Sequence, residues 1–489
     1  MELSSDLCYQ ALRARDRRFD GHFFVGVTST GIYCRPVCTA KLPKRQNCTF
    51  HRSAAAAERA GFRPCLRCRP ELAPGNARVD AVGRLAAAAA DRIEEGALSE
   101  GGLEELAAEL GVSGRHLRRV IEQEFGVTPI ELAQTSRLLL AKRLLTDTDL
   151  PVTEIAFASG FSSLRRFNAL FRERYRLNPT GLRRTRGAGS AAGFLACEIG
   201  YCPPLDWDGL LDFLRPRLCR GVEAIDGGRF SRALAMCGHR GWVAVEPAAG
   251  REALRVEVSL SLAPALRAVL ATVKRVFDLG ARPRQIAEAL GPLAAAHPGM
   301  RLPGSFDPFE TAVRAILGQQ VSVAGARTLA ERFARAFGDP VQIPVQVGDS
   351  AAGALGTDSL LTHYTPTAER IAAADPSELA ALGILPARAR TIVLLSREIA
   401  EGRIALRPGR AAERTVAQLC ALPGIGEWTA NYVAMRALAW PDAFLPTDLG
   451  VRKALGDPGV KRILEIAEPW RPWRAYATMH LWRSLEERK

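Results

Sequence analysis

Apolar positions recur every three to four residues through Leu103-Glu-Glu-Leu-Ala-Ala-Glu-Leu110 and stop at Gly111. This spacing predicts an amphipathic helix, a glycine turn, and a second helix capped by Ser113 that carries Arg115, His116, Arg118 and Arg119. The plan repeats from Val152 to Ala158, with a turn at Gly160 and a following helix from Ser162 to Tyr175 bearing Arg165, Arg166, Asn168, Arg172 and Arg174. A long apolar stretch, Ile130 to Leu145, joins the two units, so residues 80 to 185 read as mostly helix. Residues 183 to 193 are small and basic, as a linker would be. The period then changes. Leu254-Arg-Val-Glu-Val-Ser-Leu260 alternates apolar with polar, and with Trp242-Val-Ala-Val245 it predicts a small antiparallel sheet, flanked by helices near Trp207 to Leu218 and Pro264 to Asp278. From about Phe306 the pattern is helical, apart from a Gly/Pro/Ser/Thr-rich stretch, Asp339 to Pro366, expected to be a surface loop.

Within the last helical region, Leu422-Pro-Gly-Ile-Gly-Glu-Trp-Thr-Ala-Asn-Tyr432 places Pro423, Gly424 and Gly426 between two apolar runs, which predicts a tight turn between helices. Backbone N–H groups at the start of the second helix would face outward, where a phosphate can sit without sequence preference. After a second break, Pro441 to Pro446, Asp448 returns toward the same face. A carboxylate there can stabilise positive charge developing on a sugar as its bond to a base breaks, or can activate the attacking water.

Four cysteines form the spacing Cys34-x3-Cys38 and Cys65-x2-Cys68, the two close pairs that a tetrahedral thiolate zinc site requires. The remaining seven, Cys8, Cys48, Cys197, Cys202, Cys219, Cys237 and Cys420, show no such pairing and are expected to be buried apolar residues. Composition narrows the partner. The 489 residues carry a formal charge of +14, with a sequence pI near 9.6. Residues 1 to 186 hold 30 basic and 21 acidic side chains, net +9, which leaves 36 and 31, net +5, for the rest of the 66 and 52. Both halves suit a polyanion, or, by charge alone, an anionic membrane surface. No apolar run approaches the roughly 20 residues of a membrane span. The acidic and arginine-rich start offers no signal-peptide core, so a reducing, cytoplasmic setting is expected.

These motifs carry resemblances. The hairpin with its trailing aspartate resembles the helix-hairpin-helix DNA glycosylase superfamily, and Leu302 to Trp482 is similar to the AlkA family of 3-methyladenine-DNA glycosylases. That resemblance implies a catalytic Asp448 and a pocket of Trp428, Tyr432, Trp482 and Phe213, whose electron-rich rings would take a positively charged alkylated purine by stacking and cation–π attraction. No lysine occurs from Leu422 to Asp448, which implies a monofunctional enzyme that leaves an abasic site. The loop Gly318-Gln319-Gln320-Val-Ser322 corresponds to the one that fills the gap left by a flipped base. Family members place an apolar residue there, and this chain offers Gln320, with Gln319 beside it.

Thr30-Gly-Ile-Tyr-Cys34-Arg-Pro-Val-Cys38 and Gly61-Phe-Arg-Pro-Cys65-Leu-Arg-Cys68 resemble the zinc domain of the Ada family. The resemblance implies that Cys34 is both zinc ligand and acceptor of a methyl group from a DNA methylphosphotriester. Arg35, Lys41, Lys44, Arg45, Arg63, Arg67 and Arg69 would supply phosphate contacts. Residues 80 to 185 resemble the AraC-type DNA-binding domain, whose two recognition helices enter successive major grooves; a glycine usual before the proline is Arg176 here.

The expected fold class is multidomain and mainly α with small α+β parts. It comprises a four-cysteine zinc domain (1–78), a double helix-turn-helix (79–186), a linker (187–193), an α/β subdomain (194–300) and an all-α helix-hairpin-helix core (301–489). The expected function is alkylation repair joined to transcriptional activation, with double-stranded DNA and RNA polymerase as partners and one Zn2+ as cofactor. Two other readings stand beside it: a DNA-binding regulator whose glycosylase half only grips distorted DNA, which Gln320 favours, and a sensor in which zinc serves shape alone.

Overall fold

The computed structural model describes all residues except 1–4, 16–18, 21–22, 52–53, 69, 71–80, 149, 183–193, 347–359, 408–411 and 488–489. The expected linker, Arg69 and the middle of the Gly/Pro-rich stretch therefore lie outside the described residues. The chain divides into two compact units, one of residues 1–90 with 113–128 and one of residues 91–112 with 129–489.

The first unit is built on a four-stranded sheet, β1 (Phe24–Val27), β2 (Ile32–Cys34), β3 (Cys48–His51) and β4 (Arg63–Pro64), in the order β3-β1-β2-β4. The β1–β2 and β1–β3 pairs are antiparallel, while β2 and β4 run parallel. The β2–β4 pairing matters for the site, because it sets the end of β2 at Cys34 beside the start of the loop holding Cys65 and Cys68. Helix Gly114–Phe125 belongs to the same unit; its cap Ser113 accepts from the His116 N–H as expected.

In the second unit, helix Val152–Ala158 leads through Gly160, at φ 87°, to helix Leu164–Tyr175. The cap is Ser163, one residue later than the pattern suggested, and it accepts from the Arg166 N–H. Arg176 ends the helix in the left-handed conformation, φ 56°, doing the work for which glycine is the usual residue. Phe161, Phe167 and Phe171 pack edge to face along the inner face of this pair.

A five-stranded antiparallel sheet follows: β5 (Phe194–Gly200), β6 (Glu223–Asp226), β7 (Arg229–Met236), β8 (His239–Pro247) and β9 (Ala253–Ser259), in the order β5-β9-β8-β7-β6. Its buried face, Leu195, Cys197, Val243, Val245, Val256 and Val258, shares one hydrophobic core with Leu144, Ile155 and the three phenylalanines of the preceding helices. Arg267, buried on helix Leu266–Val276, donates to the carbonyls of Ile93 at 2.7 Å and Glu94 at 3.0 Å. Two ion pairs, Arg275–Glu95 and Lys274–Glu94, flank it.

The stretch expected as a surface loop is structured at both ends. β10 (Pro340–Gln346) pairs with β11 (Leu360–His363), and Leu361 and Tyr364 are buried against Ala224, Ala233 and Ala244 of the sheet. The turn-rich composition of its middle hid the short apolar β11 run. Helices Pro308–Leu317, Val323–Phe337, Pro386–Ala400, Ala412–Cys420, Glu427–Arg436 and Arg474–Glu486 form the final core, which packs around Ile316, Leu395, Ala430 and Ala477. Among the described residues no helix is long and apolar enough to cross a membrane.

Candidate active site and metal centre

Three helices and one turn bring the site together. Gly424 stands at φ 87°, and a Cβ there would lie 2.2 Å from Thr391 Oγ1, so only glycine lets the hairpin close on helix Pro386–Ala400. Thr391 completes the contact by donating to the Pro423 carbonyl at 3.0 Å. Helix Glu427–Arg436 begins at Gly426 with no side-chain cap, which leaves its first N–H groups directed at solvent beside the exposed glycines. Trp428 and Tyr432, one helical turn apart, stack with ring centroids 5.3 Å apart and planes 11° apart.

Asp448 caps helix Leu449–Ala454 by accepting from the Val451 N–H at 2.9 Å. It is more than a cap. Trp428 Nε1 donates to its Oδ2 at 3.0 Å and Trp482 Nε1 to its Oδ1 at 2.8 Å. The carboxylate is thus held by three N–H donors from three helices, on the wall of a cleft of about 800 Å³ that Trp428, Tyr432 and Trp482 also line. Phe213 lies behind this wall: it is buried and stacks on Trp482 at 6.0 Å and 8°, bordering a separate small cavity.

Three residues of the site gave no signal in the sequence. A Cβ on Gly450 would come within 2.8 Å of Trp482 Cδ1 and 3.0 Å of Asp448 Oδ1, so the indole reaches the carboxylate only over a glycine. Arg217 and Arg436 set their guanidinium groups against the rings of Phe213 and Tyr432. A pattern along the chain shows neither the contact of Arg436 with Phe213, more than two hundred positions away, nor how closely Trp482 crosses Gly450.

Gln320 forms the tip of the turn before helix Val323–Phe337. It is exposed at φ 53°, with exposed Val321 and Val323 next to it. Gln319 differs from the expectation that it faces DNA. Its side-chain amide donates to the Gly424 carbonyl at 2.9 Å and to Thr429 Oγ1 at 3.0 Å, and its backbone carbonyl accepts from Arg388. It therefore braces the turn against the hairpin.

In the first unit the sulfur atoms of Cys34, Cys38, Cys65 and Cys68 all lie within 4.8 Å of one another. Four thiolates about 2.3 Å from one zinc would stand about 3.8 Å apart, so the donor set fits that ion. The thiols crowd one another: the hydrogen bond to Cys38 pushes Cys34 far up, while the same bond lowers Cys38 to about 2. Four such groups ionise together only around a cation. Cys34 is half-buried and the other three are buried. A cavity of about 420 Å³ adjoins it, bordered by Arg13, Arg15 and Lys41 as well as apolar side chains.

Lys41, Lys44, Arg63 and Arg67 are exposed around this centre, as are Arg115, Arg118, Arg165 and Arg166 on the two recognition helices. Arg45 is partly occupied, pairing with Asp6 and lying over Phe50. Arg35 does not fit the expectation of a phosphate contact. Its side chain is 0% exposed, paired with Asp20 and donating to the Cys68 carbonyl at 3.3 Å. It supports the metal loop from inside, and a buried, paired guanidinium has no reach to DNA. Among the cysteines outside the box, Cys8, Cys48, Cys197 and Cys219 are buried as expected, but Cys202 and Cys237 are exposed on the loops that follow β5 and β7.

Comparison with known proteins matches four families in succession: "Metal binding domain of Ada" over residues 7–71, "Helix-turn-helix domain" over 106–185, "AlkA N-terminal domain" over 196–307, and "HhH-GPD superfamily base excision DNA repair protein" over 313–471. The chain is 38% identical to the probable bifunctional transcriptional activator/DNA repair enzyme AlkA of Mycobacterium tuberculosis, covering 98% of this chain and 96% of that one. It is 38% identical to DNA-3-methyladenine glycosylase 2 of Escherichia coli, over 58% of this chain and 95% of that one. The bifunctional transcriptional activator/DNA repair enzyme Ada of Escherichia coli is 36% identical over 32% of this chain and 43% of its own length.

Proposed function

We propose, from the premise that this chain belongs to the family of bifunctional transcriptional activator/DNA repair enzymes AlkA, that it excises alkylated purines such as 3-methyladenine from duplex DNA and reports alkylation damage to transcription. The observation that carries the enzymatic half is Asp448, fixed by Trp428, Trp482 and the Val451 N–H on the cleft wall. Both of its oxygens already accept hydrogen bonds. This arrangement suits a carboxylate that stabilises positive charge on the sugar more than one that takes a proton from water, because the negative charge is held in place before the bond breaks. Trp428, Tyr432 and Trp482 would stack on the extruded base, with Phe213 supporting Trp482 from behind. Gly424 and Gly426 would lie on the phosphate backbone, and Gln320 would enter the gap the base leaves.

In the first unit, Cys34, Cys38, Cys65 and Cys68 would hold one Zn2+, which keeps the thiolates ionised when bound. Cys34, the most accessible of the four, would accept the methyl group. Its sulfur attacks the methyl carbon, the carbon–oxygen bond breaks, and the phosphodiester leaves as an anion with the electron pair. The change from thiolate to thioether removes one negative charge near Lys41, Lys44 and Arg67 and so strengthens the grip on DNA. Arg115, Arg118, Arg165 and Arg166 would then read promoter DNA from the two recognition helices, and activation would proceed through RNA polymerase in the cytoplasm.

The test is free 3-methyladenine released over time from methylated duplex DNA by the wild type and by Asp448→Asn. Turnover by the wild type with a loss of at least a hundredfold in the variant is the expected result, the scale at which removing one preorganised charge-stabilising group acts. Equal release by both would remove Asp448 from the chemistry.

A further inference from the structure

Two guanidinium groups at the aromatic end of the cleft make no ion pair among the described residues, although Glu486, also on the cleft lining, partly offsets the charge of Arg217. Arg217 lies 4.0 Å from the Phe213 ring centroid and donates to the Phe213 carbonyl at 2.7 Å. Arg436 lies 5.2 Å from Phe213 and 5.8 Å from Tyr432, donates to the Tyr432 hydroxyl at 3.0 Å, and otherwise meets only the carbonyls of Pro303 and Gly304. Deeper in the cleft, Arg232 and Arg314 differ from them, since each pairs with both Glu223 and Glu310 and their charges cancel. The cleft lining as a whole holds six cationic and four anionic side chains. Tyr432 registers the excess: burial raises its hydroxyl, yet Arg436, Arg217 and Arg314 outweigh that and hold it below the usual tyrosine range.

We propose that Arg217 and Arg436 set lesion choice, favouring bases that leave as anions over bases that carry positive charge. The proposal rests on the glycosylase reading above. When the glycosidic bond breaks, its electron pair goes to the base nitrogen and positive charge grows on the sugar near Asp448. Water oxygen then bonds to the sugar carbon, and one water proton goes to solvent when the base has left neutral or to the base when it has left as an anion. A cationic alkylated purine departs neutral. Its charge is greatest before the bond breaks, when two guanidinium groups repel it and Arg436 already engages the Tyr432 ring on which it would stack. An uncharged lesion such as hypoxanthine departs as an anion, so the same groups act on charge that appears only in the transition state.

The experiment measures single-turnover release of hypoxanthine and of 7-methylguanine from otherwise identical duplexes, with melting temperature as a check on folding. Arg217→Gln is expected to lower the hypoxanthine to 7-methylguanine rate ratio about tenfold, the effect of one nearby charge in a partly buried site. Arg217→Lys, which keeps the charge, is expected to stay close to the wild-type ratio, and Arg436→Gln to shift it in the same direction as Arg217→Gln. Arg217→Met carries the test if Arg217→Gln misfolds. Equal loss of both rates, or an Arg217→Lys ratio as low as that of Arg217→Gln, overturns the proposal and leaves the glycosylase reading intact. Release of neither base by the wild type ends both.

Discussion

A methyl group added to Gly450 would stand where the Trp482 indole crosses to Asp448, 2.8 Å from the ring and 3.0 Å from the carboxylate oxygen. Gly450→Ala is therefore expected to move the indole, break the 2.8 Å bond from Trp482 Nε1, and cut excision on the order of tenfold to a hundredfold with little loss of stability. Single-turnover release and the tryptophan fluorescence spectrum would show both effects, and an unchanged rate would mean that the bond from Trp482 does not matter. Residues of this kind divide by how far their evidence spreads along the chain. Cys34, Cys38, Cys65 and Cys68 announce themselves because zinc ligation needs close pairs, and Asp448 follows a recognisable hairpin within about twenty residues. Arg35 misled because it sits among other basic residues, and only the folded chain pairs it with Asp20. Gly450 and Arg436 matter through Trp482 and Phe213, which the sequence leaves well apart from them, and Arg217 through a ring one helical turn away that no motif marks.

Helices and turns were more legible than their ends. The two helix-turn-helix units and the catalytic hairpin lie where apolar spacing and glycine placed them, because caps and turns are set by local chemistry. The second cap falls on Ser163, since either of two adjacent serines satisfies the pattern and packing of Phe167 and Phe171 decides between them. Strand β11 was missed for the opposite reason. Four residues carry too little periodicity to stand out, and burial of Leu361 against the sheet makes the strand. Arg176, which closes helix Leu164–Tyr175, has a conformation that opposes its residue type, at φ 56°. Arg176→Gly is expected to relieve the left-handed strain and stabilise the helix-turn-helix by about 1 kcal/mol. Chemical denaturation followed by far-ultraviolet circular dichroism checks this, and a variant no more stable than the wild type would show that side-chain contacts of Arg176 offset the strain.

At the scale of the molecule, the second helix-turn-helix pair and the antiparallel sheet share a single core, with Arg267 anchoring the helix end at Ile93 and Glu94. Arg267→Ala removes the charged donor to both carbonyls, although Ile93 keeps the Gly96 N–H, and is expected to cost about 2 kcal/mol. Calorimetry of the full chain would then show a helix-turn-helix transition separating from that of the glycosylase half; an unchanged profile would mean that the two parts never melted together. The shared core also bears on inheritance. A chain assembled from separable parts can lose one by a premature stop or a recombination event and keep the other in working order. Here a break between Leu182 and Phe194 would bare the part of that core where helix Val152–Ala158 meets the turn Leu260–Ala265. Each orphan would carry an adhesive face prone to aggregation, so each half expressed alone is expected to be less soluble than the full chain.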